Sequence, residues 1–318
     1  MLKFLTFAVK GQLNVHDLNN ETGAGNVTDI RIMEFLDEKG NRIEAPAVSG
    51  RMLKHWHYEA MRSLILNGEY SSVPLCDGCR MGEPIRPGMI NENHSLVQVA
   101  KTEDSAIKDC SICDIHGYLI AQGAQEEGEA GVSSRRSSRV MFSWLMPELN
   151  TEFTSKQVIH TRVSQQATMA EGEGAAQMIF NKSYASGIYA FVSAFDIDRI
   201  GLVELNLGNP NPYAIGENER KERIKVAIEA YRYLISGQMG ASLSHAIPHW
   251  NPIEMLVIYS EQGPLPFPVS PMYSDYIEKT LGNTPAGSIV LYWGNENPDG
   301  VNVKNTINEI FEEVLAKI

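Results

Sequence analysis

Four cysteines, and no others, fall between positions 76 and 113 of this 318-residue chain as two Cys-x-x-Cys pairs, Cys76 with Cys79 and Cys110 with Cys113. Two such pairs can offer four thiolates to one tetrahedral zinc, and the spacing inside each pair is that of a zinc knuckle. If they meet, stretches separated by 30 residues must fold back on each other. That gap exceeds the about 15 to 20 residues of a common zinc ribbon, so a subdomain lies between the pairs. Four thiolates leave no open coordination position, and a metal here would staple a loop without doing chemistry. Free buried thiols or a disulfide are the competing readings, and a cytosolic location weakens the disulfide. His116 is near enough in sequence to substitute as a ligand, although a surface or supporting role suits it better.

Composition narrows the class. A hydrophobic content of 43% supports a substantial core, and 318 residues suit one elaborated domain or two small ones. The opening "MLKFLTFAVK" lacks an apolar run with a small-residue cleavage site, and no segment approaches the roughly 18 apolar residues that span a bilayer. A cytoplasmic protein with no membrane partner is expected. The net charge of -12 disfavours nucleic acid at first sight. Acidic residues, however, gather in "QEEGEAG", in "NERKER" and at the C-terminus, while arginines gather in "SSRRSSR" (133 to 139). One basic face can therefore survive on an acidic body.

Periodicity supplies the elements. "LKFLTFAVKGQLNV" alternates as a strand and runs into a polar, Gly-containing loop (16 to 26). Ser49 is a candidate N-cap, after which Leu53, Trp56, Ala60 and Leu64 recur on one helical face and Arg51, Lys54, Tyr58 and Arg62 on another. Residues 67–139 read as a Cys-containing insertion with little regular periodicity. Strands are expected at 140–147, 157–164, 184–205 and 253–260, and helices at about 219–235 and 302–318. The small, Gly-rich stretch 165–178 suits a hairpin tip or finger. Strand, helix, strands, helix, strand predicts an α+β chain with a ferredoxin-like βαββαβ core carrying long excursions, one domain over 1–318.

Enzymatic signatures are scarce. The sequence contains no Gly-x-x-x-x-Gly-Lys loop, no Gly-x-Ser-x-Gly elbow and no His-Glu-x-x-His pair. "GAGNVTD" (23 to 29) reads as a surface loop. Asp196 and Asp198 share a strand face but mark a strand end, and His55 and His57 point in roughly opposite directions on a helix. Polyanion binding is better supported. A helix start presents unpaired N–H groups and partial positive charge, Gly50 admits close approach to the backbone, and Arg51 and Lys54 add charge-assisted bonds. His160, Arg162 and Ser164 share a strand face suited to phosphate and 2′-OH contacts, or to solvent. Gly237, Gly240, Ser242 and Ser244 form a second small-residue loop. "SSRRSSR" either grips phosphates or is a disordered tail of the insertion.

The motifs "PAVSGRMLKHWHYEAMR", "CSICDIHGYLI", "RVMFSWLMP", "KQVIHTRVS" and "IPHWNP" together resemble the DevR-type CRISPR-associated autoregulator family of the RAMP superfamily. These are backbone subunits of type I-A Cascade surveillance complexes. The resemblance implies a modified RNA-recognition-motif (RRM) palm with finger and thumb insertions. It also implies a non-catalytic subunit that polymerises as a helical filament along CRISPR RNA (crRNA), beside other Cascade subunits and, in the complex, target DNA. Carried over by position, the RNA contacts fall on Ser49, Gly50, Arg51 and Lys54, on His160 and Arg162, and on Gly240, Ala241 and Ser242. The last loop is poor in Arg and Lys, which leaves backbone amides as its donors. Zinc on Cys76, Cys79, Cys110 and Cys113 is not part of the resemblance. Two readings compete with an RNA scaffold: a metal-dependent nuclease or hydrolase using His55, His160 or the aspartates, and a transcriptional regulator.

Overall fold

In a computed structural model, which describes residues 1–18, 20–22, 27–122, 132–149, 151–163, 177–239 and 247–318, the chain opens with β1 (Phe4–His16). Short strands β2 (Asn20–Thr22) and β3 (Val27–Ile30) precede a hairpin of β4 (Ile32–Leu36) and β5 (Arg42–Pro46). Helix α1 (Gly50–Leu66) follows. Ser49 caps it as expected, its hydroxyl accepting from the Met52 N–H at 3.3 Å. The buried face of α1 holds Leu53, His57, Tyr58, Ala60, Met61, Leu64 and Ile65. Trp56, expected inward, is only partly buried.

The described part of residues 67–139 holds more regular structure than its composition suggests. They contain α2 (Asp77–Met81), the hairpin β6 (Gly88–Ile90) and β7 (Leu96–Gln98), α3 (Glu103–Asp109), α4 (Ser111–His116), and the hairpin β8 (Tyr118–Gln122) and β9 (Val132–Arg136). Periodicity misses these elements because each is too short to complete a pattern. Cys79, Cys110, Ile112 and Ile115 of this segment lie in the same buried cluster as Leu53, Ile224 and Val257.

The chain continues through β10 (Val140–Phe142), β11 (Met146–Pro147), β12 (Thr154–Val163) and β13 (Gln177–Asp196). Next come α5 (Glu217–Ile235), β14 (His249–Ser260), α6 (Tyr276–Asn283), β15 (Ile289–Trp293), β16 (Asn302–Val303) and α7 (Ile307–Leu315). Several expected boundaries shift: the strand read as 140–147 is the two short strands β10 and β11, and β12, β13 and β14 begin earlier than expected. The strand read as 184–205 ends at Asp196, where the backbone turns and Arg220 donates to the Ile197, Asp198 and Ile200 carbonyls. The last helix begins at Ile307, because residues 302–303 pair with β15 instead.

One ten-stranded sheet among the described residues runs β16-β15-β14-β1-β13-β3-β2, with β10, β11 and β12 also paired to β13. Its centre is antiparallel, in the spatial order β14, β1, β13, β10, and α1 and α5 follow the first and third of the chain-ordered strands of that set. This is a mixed α and β architecture. Leu5, Phe7 and Val9 of β1 face the large core under α1, α5 and α7, where Phe7 stacks on Tyr231 at 4.5 Å. The alternate residues Phe4 and Ala8 are also buried, beneath Leu265, Tyr276 and Tyr292. Layers therefore cover the central strand on both faces. Beyond the point where β1 pairs with β13, the first half of β13 continues as a ribbon with β12, joined by β3 at Asn181 and Lys182, with Ile159 (68% exposed) and Ile179 (50% exposed) on its surface.

Candidate functional site

The first two turns of α1 form one wall of a cleft of about 460 Å³. Arg51, Lys54, His55 and Tyr58 come from the helix, Glu83 and Arg86 from the turn after α2, and His116 from the end of α4. Three cations thus face one carboxylate, Glu83, on a chain of net charge -12. Lys54 Nζ donates to the His116 carbonyl at 3.0 Å. Burial, reinforced by the neighbouring Arg86 guanidinium, pushes its amine down to about 8. Arg86 lies over the Tyr58 ring at 5.3 Å, a cation–π distance. Its Nη1 is buried without a hydrogen-bond partner among the described residues. A buried, unpartnered guanidinium nitrogen beside an ammonium group is an arrangement completed by an anion.

Beneath the cleft, His57 Nδ1 meets His116 Nε2 at 3.0 Å and His57 Nε2 meets the Ala227 carbonyl at 2.9 Å. Burial pushes His57 down to about 3 and His116 well below its ordinary value, so both rings are neutral. The tautomers follow: His57 donates from Nε2 to Ala227 and accepts at Nδ1 from His116. These rings tie α1 to α4 and α5. His55, by contrast, is exposed and stacks on Tyr58 at 5.7 Å.

Gly50 has a packing reason for its identity. A Cβ there would lie 2.5 Å from the Phe142 carbonyl oxygen and 2.6 Å from that of Ser143. The close approach at this position is thus to the chain at the end of β10.

The two Cys-x-x-Cys pairs converge. Cys76 and Cys110 are the N-caps of α2 and α4, so the second cysteine of each pair lies within the first turn of its helix. All four sulfur atoms lie within 4.8 Å of one another and all four residues are buried. Cys113 Sγ is 3.8 Å from that of Cys76 and 4.0 Å from that of Cys79. A tetrahedron with metal–sulfur bonds of about 2.3 Å places its sulfurs roughly 3.8 Å apart, so the spacing fits a metal and is far too long for disulfide bonds. The Gly88 N–H reaches Cys76 Sγ at 3.5 Å, and the Cys113 N–H reaches Cys110 Sγ at 3.3 Å. Hydrogen bonding from Cys110 and Cys113 draws the Cys76 thiol down, against its burial. The amide contacts favour thiolates, the form a metal takes, while hydrogen bonding among the thiols pushes Cys79 and Cys113 up.

The remaining expected residues are elsewhere. His160 of β12 stacks on its cross-strand partner Phe180 at 5.2 Å, with Nε2 3.2 Å from the Tyr184 hydroxyl. Arg162 pairs in register with Met178. Its side chain, together with Gly240, Ala241, Ser242 and the finger tip up to residue 176, lies outside the described residues. Among the described residues, the four cysteines form a group that could hold a metal ion, whereas His55, His160, Asp196 and Asp198 do not assemble into one.

"SSRRSSR" takes neither expected role at two of its arginines. Arg136 and Arg139 have side chains 0% and 1% exposed, with Arg136 paired to Glu103 and Asp114 and Arg139 to Glu204. Burial of a charge requires such partners, and these come from distant segments. The sequence reading missed Arg86, a lone arginine in the aperiodic run "EPIRPG". Only the fold of the cysteine segment puts it opposite Lys54.

Residues 7–281 match the family model described as CRISPR-associated negative auto-regulator DevR/Csa2. A protein of Methanocaldococcus jannaschii named CRISPR-associated protein Cas7/Cst2/DevR is 31% identical over 295 residues, covering 86% of each chain. A Thermoproteus tenax protein of the same name is 28% identical, covering 93% of this chain and 91% of its own. Two solved chains from complexes titled CRISPR RNA-guided surveillance complex, one of them pre-nicking, superpose with TM-scores of 0.54 and 0.55. Each covers 99% of both chains, at 10% and 11% identity, a likeness of fold.

Proposed function

Because this chain belongs to the DevR/Csa2 family of CRISPR-associated proteins, we propose that it is a backbone subunit of a type I-A Cascade surveillance complex, holding crRNA by its sugar-phosphate chain. The observation that carries this reading is the correspondence with Cas7-named relatives over 86% and 93% of the chain. The cationic cleft at Arg51 and Lys54 supports it at the level of residues. A guide must accept any spacer, so affinity comes from phosphates and riboses while bases stay free to pair. Ser49, Gly50, Arg51 and Lys54 contact the backbone at the start of α1, His160 and Arg162 from the ribbon, and Gly240, Ala241 and Ser242 through amides.

The strand order supports reading the body as a modified RRM palm. Residues 67–139 are its insertion and 165–178 the tip of its thumb or finger. Copies of the subunit stack as a filament in the cytoplasm, with other Cascade subunits and target DNA. The subunit itself catalyses no reaction. Zinc held by Cys76, Cys79, Cys110 and Cys113 ties the two halves of the insertion together and leaves no open coordination site for chemistry.

The test is the purified protein. RNA of uniform length, extracted from it and intact after magnesium or zinc is added, is the expected outcome. Indifference to RNA at low ionic strength, a wide preference for one sequence, or RNA cleavage lost in His160→Ala would overturn the reading.

A further inference from the structure

Both arms of the thiol cluster reach the cationic cleft. On the first arm, the Cys79 carbonyl accepts from the Tyr58 hydroxyl at 3.2 Å, and Tyr58 carries Arg86 over its ring. The turn bearing Arg86 is packed against α2, for a Cβ on Gly78 would fall 2.0 Å from the Ile85 carbonyl oxygen. Two residues beyond Arg86, Gly88 donates its N–H to Cys76 Sγ. The Arg86 carbonyl is held by the Gln98 side chain at 2.8 Å. On the second arm, Cys113 begins the turn of α4 that ends at His116, whose carbonyl receives Lys54. The cluster therefore clamps the two chain segments that close the cleft over α1.

Resting on the RNA-binding reading above, we propose that the cleft is a phosphodiester site. Arg86 is its third cationic ligand, beside Arg51 and Lys54, and the metal-loaded cysteine knuckle is the device that aims Arg86. Arg86 lines the cleft, and its Nη1 has no hydrogen-bond partner among the described residues, so its guanidinium keeps donor capacity there. Arg51 guards the exposed mouth, Lys54 and Arg86 the floor, and Glu83 is the one carboxylate lining the cleft among the described residues. The site takes one phosphate of a single strand and reads no base, since the aromatic surface of Tyr58 is already occupied by His55 and Arg86.

The probe is a uridine 12-mer titrated into the full-length, zinc-loaded protein across a salt series. Arg86→Gln should weaken binding about tenfold and flatten the log–log salt slope by about 0.7, the value for one phosphate of a single strand. Arg42→Gln removes an exposed arginine of the β4–β5 hairpin that pairs with Glu34 and Glu44, and should change neither quantity. Equal affinity and slope in Arg86→Gln and the parent protein would overturn the site, whereas failure of the parent to bind the 12-mer would overturn the RNA reading itself. The knuckle is tested by reciprocity. Saturating 12-mer should slow zinc loss to a chromogenic chelator several-fold in the parent and distinctly less in Arg86→Gln. Equal protection in the two would remove the knuckle from the proposal.

Discussion

Asp114 is fully buried with both carboxylate oxygens engaged, one by Arg136 and the other by Arg223 at 2.9 Å, while the Gly201 amide donates at 3.0 and 3.1 Å. This one residue joins the cysteine segment to β9, to α5 and to the turn after β13. Asp114→Asn removes the shared charge between two buried guanidinium groups, which keep Glu103 and Glu219 as partners, and should cost about 1–3 kcal/mol in urea unfolding. A paired Asp114→Leu, Arg223→Met change should cost less than the sum of its single changes, because the lone buried charge is removed. Lys54 carries the pH prediction. Its amine titrates at about 8, below its ordinary 10.5, and anions bind its charged form. Affinity for single-stranded RNA should therefore fall as pH rises from 7 to 9, as deprotonation proceeds through about 8. Arg51, Arg86, His55, His116 and Glu83 are the other groups facing it. Lys54→Arg, whose guanidinium stays charged, should bind almost equally at both ends of that range in a fluorescence-anisotropy titration.

At the scale of elements, α2 and α4 are five and six residues long, too short to stand without tertiary support. Their N-caps are two of the four clustered thiols, so a metal fixes both at once. Cys113→Ser should reduce bound zinc well below one per chain by elemental analysis. It should also expose residues 67–139 to limited proteolysis before the central sheet unfolds. The ribbon of β12 and β13 behaves oppositely. Ile159→Lys, at a residue 68% exposed, should leave stability within about 0.5 kcal/mol by thermal unfolding, since no core contact is lost.

At the scale of the whole molecule, the sheet is buried on both faces at its centre. Ala8, Leu256 and Tyr292 lie under Tyr276, and Phe4 and Ala194 under Leu265. On the proposed reading, a bound strand would therefore follow loops, helix ends and the ribbon of β12 and β13. Charge is segregated to match, with Arg51, Lys54 and Arg86 gathered in one cleft of an acidic body. Binding should then remain strongly salt-dependent, losing affinity linearly in log[salt], despite the acidic isoelectric point of about 5.2.

The sequence by itself determined the elements whose repeats are long enough to be read. The strand at β1, the Ser49 cap, Leu53, Ala60 and Leu64 of α1, and Ile224, Ile228, Tyr231 and Ile235 of α5 emerge as their spacing requires, whereas Trp56 is only partly buried and β1 is buried on both faces. The spacing of the two Cys-x-x-Cys pairs suggested one shared metal beside free thiols or a disulfide, and the fold brings all four sulfurs within 4.8 Å of one another. Tertiary structure alone decided what depends on partners far along the chain. Arg136 and Arg139 became interior charges rather than a phosphate grip, since Asp114, Glu103 and Glu204 meet them there. Arg86 became a cleft residue, since a thiol-clamped turn carries it to Tyr58 and Lys54. Local spacing encodes which face of an element is buried, but the energy of a charge is set by what surrounds it, and that is known only once distant segments have met.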